Sequence, residues 1–300
     1  MPDTTLATLK IRPGRAEDLP LVKDICADVG GGRDYVPYVW NEWAADPQSQ
    51  LYLFELEGQP AAIYCLRLGF AGPDSSWVQG VRVATAFQKR GLAAAIIEHA
   101  IVTTQNLKLN VVRYSTAEYN TPMHRLAERY GFHLTGKYMG ALLTKSPTVE
   151  ANLAYRPVSI TELDEAYRMI TASDEYQASE GFYCVAWCWR PLSREVLREH
   201  IEKGQVLKPE GVFTALAIVS EGEDEASYWL SFLAGEPADQ EALLTGIITR
   251  LAGQATPGQK FIIDALLPQT TWIETLLQKT GFTSYEDDPV MCLYELVLSS

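Results

Sequence analysis

No apolar run in the sequence approaches the roughly 20 residues that a membrane-spanning helix requires, so no membrane segment is expected. The polar opening Met1–Thr8 lacks the basic and apolar regions of a signal peptide, and a cytoplasmic location is the expectation that follows. Cysteine is scarce and odd in number: five thiols (Cys26, Cys65, Cys184, Cys188, Cys292) at irregular spacings suit reduced side chains better than a disulfide framework. Only four histidines are present, with no C-x-x-C or H-x-x-x-H spacing, so no metal site is expected. Basic charge is also short. Lys and Arg number 25 against 38 Asp and Glu, a formal net charge of −13. A nucleic-acid surface needs a basic stripe to replace counterions around phosphates, so none is expected, and cationic small molecules are the easier partners.

What the sequence does hold is material for a core. Of its 300 residues 47% are apolar and 21% charged, enough for two ordinary soluble domains. A strand at Ala7–Arg12 is turned by Pro13-Gly14 into a helix over about Ala16–Val29, and a short aromatic helix follows at Tyr35–Trp43. Leu51–Glu57 and Ala61–Phe70 read as a hairpin, then Ser76–Val83 as a strand and Gly91–Thr104 as an amphipathic helix. Leu107–Ser115 reads as a buried strand, Met123–Tyr130 as a helix ended by Gly131, and Phe132–Thr144 as a last strand, making one α/β domain. After a looser Ser-Pro-Thr stretch the pattern starts again. Tyr155-Arg156-Pro157 repeats Ile11-Arg12-Pro13, and Gly131-Phe132 returns 150 positions later as Gly281-Phe282.

The sharpest local feature is a strand ending Val81-Arg82-Val83, a turn Gln88-Lys89-Arg90-Gly91 and a helix start Leu92-Ala93-Ala94. Gly91 and the small Ala93 let a diphosphate approach the backbone closely. The free N–H groups of the first helical turn face such an anion, helped by the positive helix end and by Lys89 and Arg90.

Gln88, Gly91 and Ala93 match the signature Gln/Arg-x-x-Gly-x-Gly/Ala, and over roughly residues 7–145 the chain resembles the GNAT superfamily of acetyl-CoA-dependent N-acetyltransferases. Asn120, followed eleven residues later by Gly131-Phe132, matches that family's second motif, where the asparagine lies along the pantetheine arm. The resemblance implies an α/β fold with a mixed (α+β) sheet, in two GNAT-like domains in tandem. Residues 1–147 would bind acetyl-CoA, with Val81, Arg82 and Val83 along the pantetheine and Gln88 to Ala94 on the pyrophosphate. Residues 148–300 would be a degenerate copy that does not bind CoA, since at a displacement of 150 Gln88, Gly91 and Ala93 fall on Ala238, Glu241 and Leu243. Acetyl-CoA is the implied cosubstrate, with no metal.

The sequence departs from the family where acid–base chemistry is concerned. Many relatives carry a glutamate where Gln79 stands and a tyrosine where Ala127 stands. Glu118, Tyr119, Tyr114 and His124 are candidates for a relayed base, and Tyr130 is a candidate acid or a packing residue beside Gly131-Phe132. Tyr35, Tyr38, Trp40 and Glu42, with Asp34 and Trp43, are the candidate acceptor residues, because aromatic faces with carboxylates suit an amine. The tryptophans equally suit cover for the sheet edge. The expected activity is direct transfer of an acetyl group to the amine of a small molecule. The alternative is a catalytically weak CoA-binding regulatory or scaffold protein. Neither nucleic acid nor membrane is an expected partner, and a homo-oligomer is left open.

Overall fold

The computed structural model describes residues 9–145, 154–211, 213–222, 224–256, 259–285 and 290–298. By residue contacts the chain divides into two units that are not simple halves. The first takes the chain up to Ser115, with Pro122–His133 and the residues from Tyr294 on; the second takes Thr116–Thr121 and Leu134–Leu293. The boundary read between residues 147 and 148 lies outside the described residues.

In the first unit β1 (Leu9–Pro13) is followed by α1 (Leu19–Cys26), α2 (Val36–Ala45) and β2 (Ser49–Leu56), which runs antiparallel to β1. The helix read over Ala16–Val29 is shorter than expected. A 3-10 turn at Ala16–Asp18 precedes α1, and Pro20 lies in the first turn of α1, where its missing N–H costs no helical bond. Glu57-Gly58, both at positive φ (56° and 76°), close a tight hairpin between β2 and β3 (Gln59–Leu68). β4 (Ser75–Val83) lies antiparallel to β3; α3 (Leu92–Asn106), β5 (Val111–Ala117), parallel to β4, and α4 (Thr121–Tyr130) follow. The strand read from Leu107 begins at Val111, because α3 still holds Leu107 through its N–H to the Thr103 carbonyl at 3.0 Å.

One sheet face buries Leu51, Leu53, Ile63 and Cys65 against Val22, Ile25 and Cys26 of α1 and Val36 and Trp40 of α2. Each such side chain contributes roughly 1.5–3 kcal/mol on removal from water. The α3 side is aromatic: Tyr64, stacked on Tyr52, meets His99 Nδ1 with its hydroxyl at 2.7 Å.

The second unit repeats this plan. β6 (His133–Leu143), from Leu134 on, belongs to it. Then come β7 (Tyr155–Pro157), α5 (Leu163–Ala172), α6 (Asp174–Ala178), β8 (Phe182–Val185), β9 (Cys188–Pro191), α7 (Arg194–Glu202), β10 (Val206–Pro209), β11 (Ala215–Glu221) and β12 (Ser227–Gly235). α8 (Pro237–Gln254), β13 (Ile262–Pro268), α9 (Thr271–Lys279), β14 (Thr283–Ser284) and β15 (Val290–Val297) complete it, except that residues 294–297 of β15 count with the first unit. Its strands lie in the order β6-β13-β12-β11-β10-β7, so β7, β10, β11, β12 and β13 correspond to β1 through β5, again with only the last pair parallel. β6 joins by antiparallel pairing to β13, from Leu143 opposite Ile263 to Tyr138 opposite Pro268.

The repeat extends to side chains. Arg12 grips Asp18 with two nitrogens at 2.8 and 2.7 Å, while the Asp18 carboxylate also caps the Arg15 N–H. Arg156 grips Glu162 in the same way at 2.8 and 2.7 Å, and Glu162 caps the Ser159 N–H. The aromatic stretch Phe182–Arg190 forms the β8–β9 hairpin, which packs on β12 and β13.

Candidate active site

β4 is bent where a site is needed. Its pairing with β3 slips between Arg82 (opposite Ile63) and Gln79 (opposite Cys65), so Gly80 and Val81 together face Tyr64, which makes a β-bulge. Gly80 has φ +62°, and a Cβ there would stand 2.7 Å from the Trp43 ring. The parallel pairing with β5 runs only from Ser75 opposite Val111 to Trp77 opposite Arg113, although the strands continue to Val83 and Ala117. Beyond Trp77 the strands splay. The backbone edge of β4 that holds Val81 and Val83 is therefore left without pairing to β5, and its carbonyls instead accept from side chains: Val81 from Arg82 Nη1 at 2.9 Å and Val83 from Gln88 Nε2 at 3.5 Å.

From β4 the chain passes through a 3-10 turn at Thr85–Phe87 to Gln88, Lys89 and Gly91. Lys89 (φ +62°) and Gly91 (φ +82°) are both left-handed, and Gly91 is the N-cap of α3 with no side chain capping the helix. The first intrahelical bond is Ala95 N–H to the Gly91 carbonyl at 3.0 Å, so helix geometry leaves the N–H groups of Leu92, Ala93 and Ala94 pointing out of the helix start. Gln88 and Lys89 are exposed. Arg90 is turned toward the β2–β3 hairpin, where it is bonded to Glu57 and lies 5.6 Å over the Phe87 ring.

On the α2 side, Arg82 points away from the turn and binds Asp34 through two nitrogens, at 2.5 and 3.0 Å. Burial works against the Asp34 charge, but the bonds from Arg82 and the Val36 N–H outweigh it and hold the carboxyl below its ordinary value. Tyr35 (50% exposed) lies under Arg82 at 5.4 Å and meets Trp43 edge-on at 6.2 Å. Tyr38 is 83% exposed and Glu42 is exposed. Trp40 has no surface left for a ligand: it is fully buried, with Nε1 on the Arg15 carbonyl at 2.9 Å. Its place one helical turn after Val36 puts it on the inward stripe of α2.

The acid–base positions are as spare as the sequence indicates. Gln79 turns its amide toward Cys65 Sγ at 3.6 Å, and Ala127 is buried. The Tyr130 hydroxyl donates to the Ala94 carbonyl at 3.3 Å, which ties α4 to the start of α3. A phenol that sequence reading missed reaches α4 from far along the chain. Tyr294 is hydrogen bonded to His124 Nδ1 at 2.8 Å and stacked on Tyr114 at 5.3 Å, and His124 lies one turn before Ala127 on the same helix face. Glu118, Tyr119 and Asn120 group with the second unit. There Glu118 is paired with Lys137 at 2.6 Å, Tyr119 is 68% exposed, and Asn120 donates to Thr116 Oγ1 at 2.9 Å.

The second unit keeps the bulge and loses the turn. β11 and β12 slip between Ile218 opposite Phe232 and Val219 opposite Leu230, leaving Ser231 as the extra residue. β12 pairs with β13 only as far as Leu230 opposite Ala265. Yet only Glu236 separates β12 from α8. Ala238, Glu241 and Leu243, which a fixed displacement sets against the turn, all lie inside α8. α6 packs on β12 and β13, and its buried Glu175 meets Gln240, which bonds the Gly235 carbonyl at 2.8 Å.

The chain matches the model of the acetyltransferase (GNAT) family over residues 22–132, and it has the fold of the GNAT structures it resembles, with a bulged, splayed central strand pair feeding a helix start that no side chain caps. It carries the fold twice in tandem. A GCN5-related N-acetyltransferase from Sphaerobacter thermophilus is similar over 98% of this chain and 97% of its own (TM-score 0.63, 13% identity). A putative acetyltransferase from Thermoplasma acidophilum is similar over 96% and 99% (0.56, 15%). A tandem GNAT protein from the clavulanic acid biosynthesis pathway is similar over 97% and 99% (0.54, 13%). At these identities the likeness is one of fold. No curated protein matches the sequence. Among the described residues, no helix is long and apolar enough to cross a membrane, and no group of three or more His, Cys, Asp or Glu side chains is placed to hold a metal.

Proposed function

We propose that the first unit is an acetyl-CoA-dependent N-acetyltransferase that passes its acetyl group directly to the amine of a small molecule. The observation that carries this reading is the β4 edge left unpaired by β5, leading into the donor-rich turn at Gln88–Ala94. A peptide-like pantetheine arm suits a strand edge, and a diphosphate suits a helix start. Acetyl-CoA bound there supplies an acyl group activated as a thioester. Val81 and Val83 would hold its arm through the backbone, and Gln88, Lys89 and the N–H groups of Gly91 to Ala94 its diphosphate, with Arg90 released from Glu57. Asn120 is assigned to the arm by resemblance alone.

Direct transfer is favoured by the cysteines of this unit. Burial, reinforced by Asp34, pushes the Cys26 thiol up to about 12, and burial pushes Cys65 up to about 11, so neither supplies a thiolate nucleophile near neutrality. The amine must shed a proton, and Gln79 does not titrate, so the proton passes to solvent. Tyr294, held by His124, takes the acid role that Ala127 leaves empty. Tyr35, Tyr38 and Glu42 offer aromatic faces and a carboxylate to the acceptor. The second unit does not bind CoA in this reading: it has no turn, and the acids Glu236, Asp239 and Glu241 crowd the start of α8. A cytoplasmic location fits a CoA-dependent enzyme with free thiols.

Calorimetric titration of acetyl-CoA should give one site per chain, abolished by Gly91→Glu. Thiol release with a panel of small amines should then show turnover. Absence of binding would overturn the reading. The second reading, a CoA-binding protein without turnover, is favoured by Gln79 and Ala127 and would be supported by binding without thiol release.

A further inference from the structure

The β8–β9 hairpin of the second unit closes on Ala186-Trp187, both at positive φ (49° and 62°), where residues other than glycine, asparagine and aspartate are strained. A two-residue turn of this hand ordinarily takes Asn-Gly. Here the strained position presents an indole that is 45% exposed. Trp187 stacks on Tyr285 with ring centres 5.6 Å apart and 25° between planes, and it meets Trp229 edge-on at 6.4 Å. Trp229 of β12 is paired directly with Asp264 of β13, and the Tyr285 hydroxyl donates to Asp264 Oδ1 at 2.7 Å.

Asp264 is partly buried and, among the described residues, takes part in no ion pair. Burial holds its carboxyl above the ordinary range in spite of the Tyr285 bond and the attraction of Lys260. The first unit resolves the same arrangement internally. Its corresponding strand pair sets Trp77 opposite Arg113, and Arg113 is bonded to Glu295 at 2.6 Å. In the second unit no such ion pair is formed among the described residues; Asp264 stands beside Trp229 in register and accepts from Tyr285, whose ring stacks on Trp187, and aromatic faces attract cations.

We propose that Trp187, Trp229, Tyr285 and Asp264 form a binding site for an organic ammonium ion. The carboxylate supplies the charge and the two indoles supply faces for the alkyl groups of the cation. The strain at Ala186-Trp187 is the cost of holding an indole at the mouth of the site. No part of this depends on acetyl-CoA or on the first unit.

The test uses the full chain without acetyl-CoA. Tetramethylammonium chloride is titrated at constant ionic strength and followed by tryptophan fluorescence and calorimetry, with tert-butanol as the uncharged analogue of the same shape. A saturable response to the cation and none to the alcohol is expected. Asp264→Asn, which keeps the side-chain shape, and Trp187→Gly, which relieves a strained exposed turn, should each weaken binding at least about tenfold while circular dichroism stays unchanged. No saturable response, equal binding of the alcohol, or full affinity in both variants would overturn the proposal. Loss of acetyl-CoA binding in Gly91→Glu with cation binding intact would separate this site from the transfer site.

Discussion

The two strand-to-helix junctions begin alike and end differently. In both units a bulge bends the fourth strand and parallel pairing with the fifth stops early, at Trp77 in one and at Leu230 in the other. Residues 84–91 then intervene before α3, whereas Glu236 alone intervenes before α8. The wedge between strands and the anion-binding turn are therefore separable. The wedge comes from the bulge inside the sheet; the anion site comes from the length of a connection. Retaining the first without the second leaves a space that α6 and the Glu175–Gln240 pair occupy.

The sharpest way to break this contrast is at the turn. Gly91→Glu places a carboxylate and a side chain at φ +82°, and acetyl-CoA binding should fall at least about a hundredfold by calorimetry, since like charges repel and the αL position is strained. Glu241→Gln should leave binding unchanged; a gain of a second site would contradict the reading of the second unit. Tyr294→Phe removes the phenol but not its stacking on Tyr114, and should lower kcat about 10- to 100-fold, with flattening of the alkaline limb of the pH profile and an unchanged acetyl-CoA Kd.

The bulges sharpen the comparison by stability. Gly80→Ala combines positive φ with a clash on Trp43 and should cost about 3 kcal/mol in denaturant unfolding. Ser231→Ala, at the other bulge, removes a buried hydroxyl that has no hydrogen-bond partner among the described residues, and should be neutral or stabilising by up to about 1 kcal/mol. The smallest effect lies at the repeated arginine links. The Arg156 bonds hold the Glu162 carboxyl at about 2, below its ordinary 4.5. A depressed carboxylate stabilises fully above the unfolded value and loses its contribution as pH falls through the folded one. Glu162→Gln should therefore abolish the pH dependence of unfolding that this carboxylate contributes between about 4.5 and 2, while also leaving the buried Lys208 ammonium, which stands 2.9 Å from Glu162, without its carboxylate.

Much of the first site was legible because its chemistry is local. Gly91, the small residues after it and the amphipathic helix lie in one window, so the helix start and its donors could be read directly. The repeat was legible too, but not its register. Arg12 and Arg156 stand 144 positions apart, Ser75 and Ser227 stand 152, Leu92 and Pro237 stand 145, and Gly131 and Gly281 stand 150. A fixed displacement therefore turned a shortened loop into an apparent substitution. Trp40 was illegible as a core residue because an aromatic helix face looks the same whether it meets substrate or Leu51. Tyr294 was missed because nothing local ties it to His124, 170 positions earlier.

The assignment of residues 294–297 to the first unit and of nearly all of β6 to the second has a consequence for synthesis. When His133 leaves the ribosome, the first unit still lacks a segment encoded about 160 residues downstream. Until that segment arrives, the edge of β5 offers unpaired backbone to any passing strand. Such a chain folds with long-range closure as its late step, and nascent fragments ending between the two units should be the forms most prone to associate wrongly.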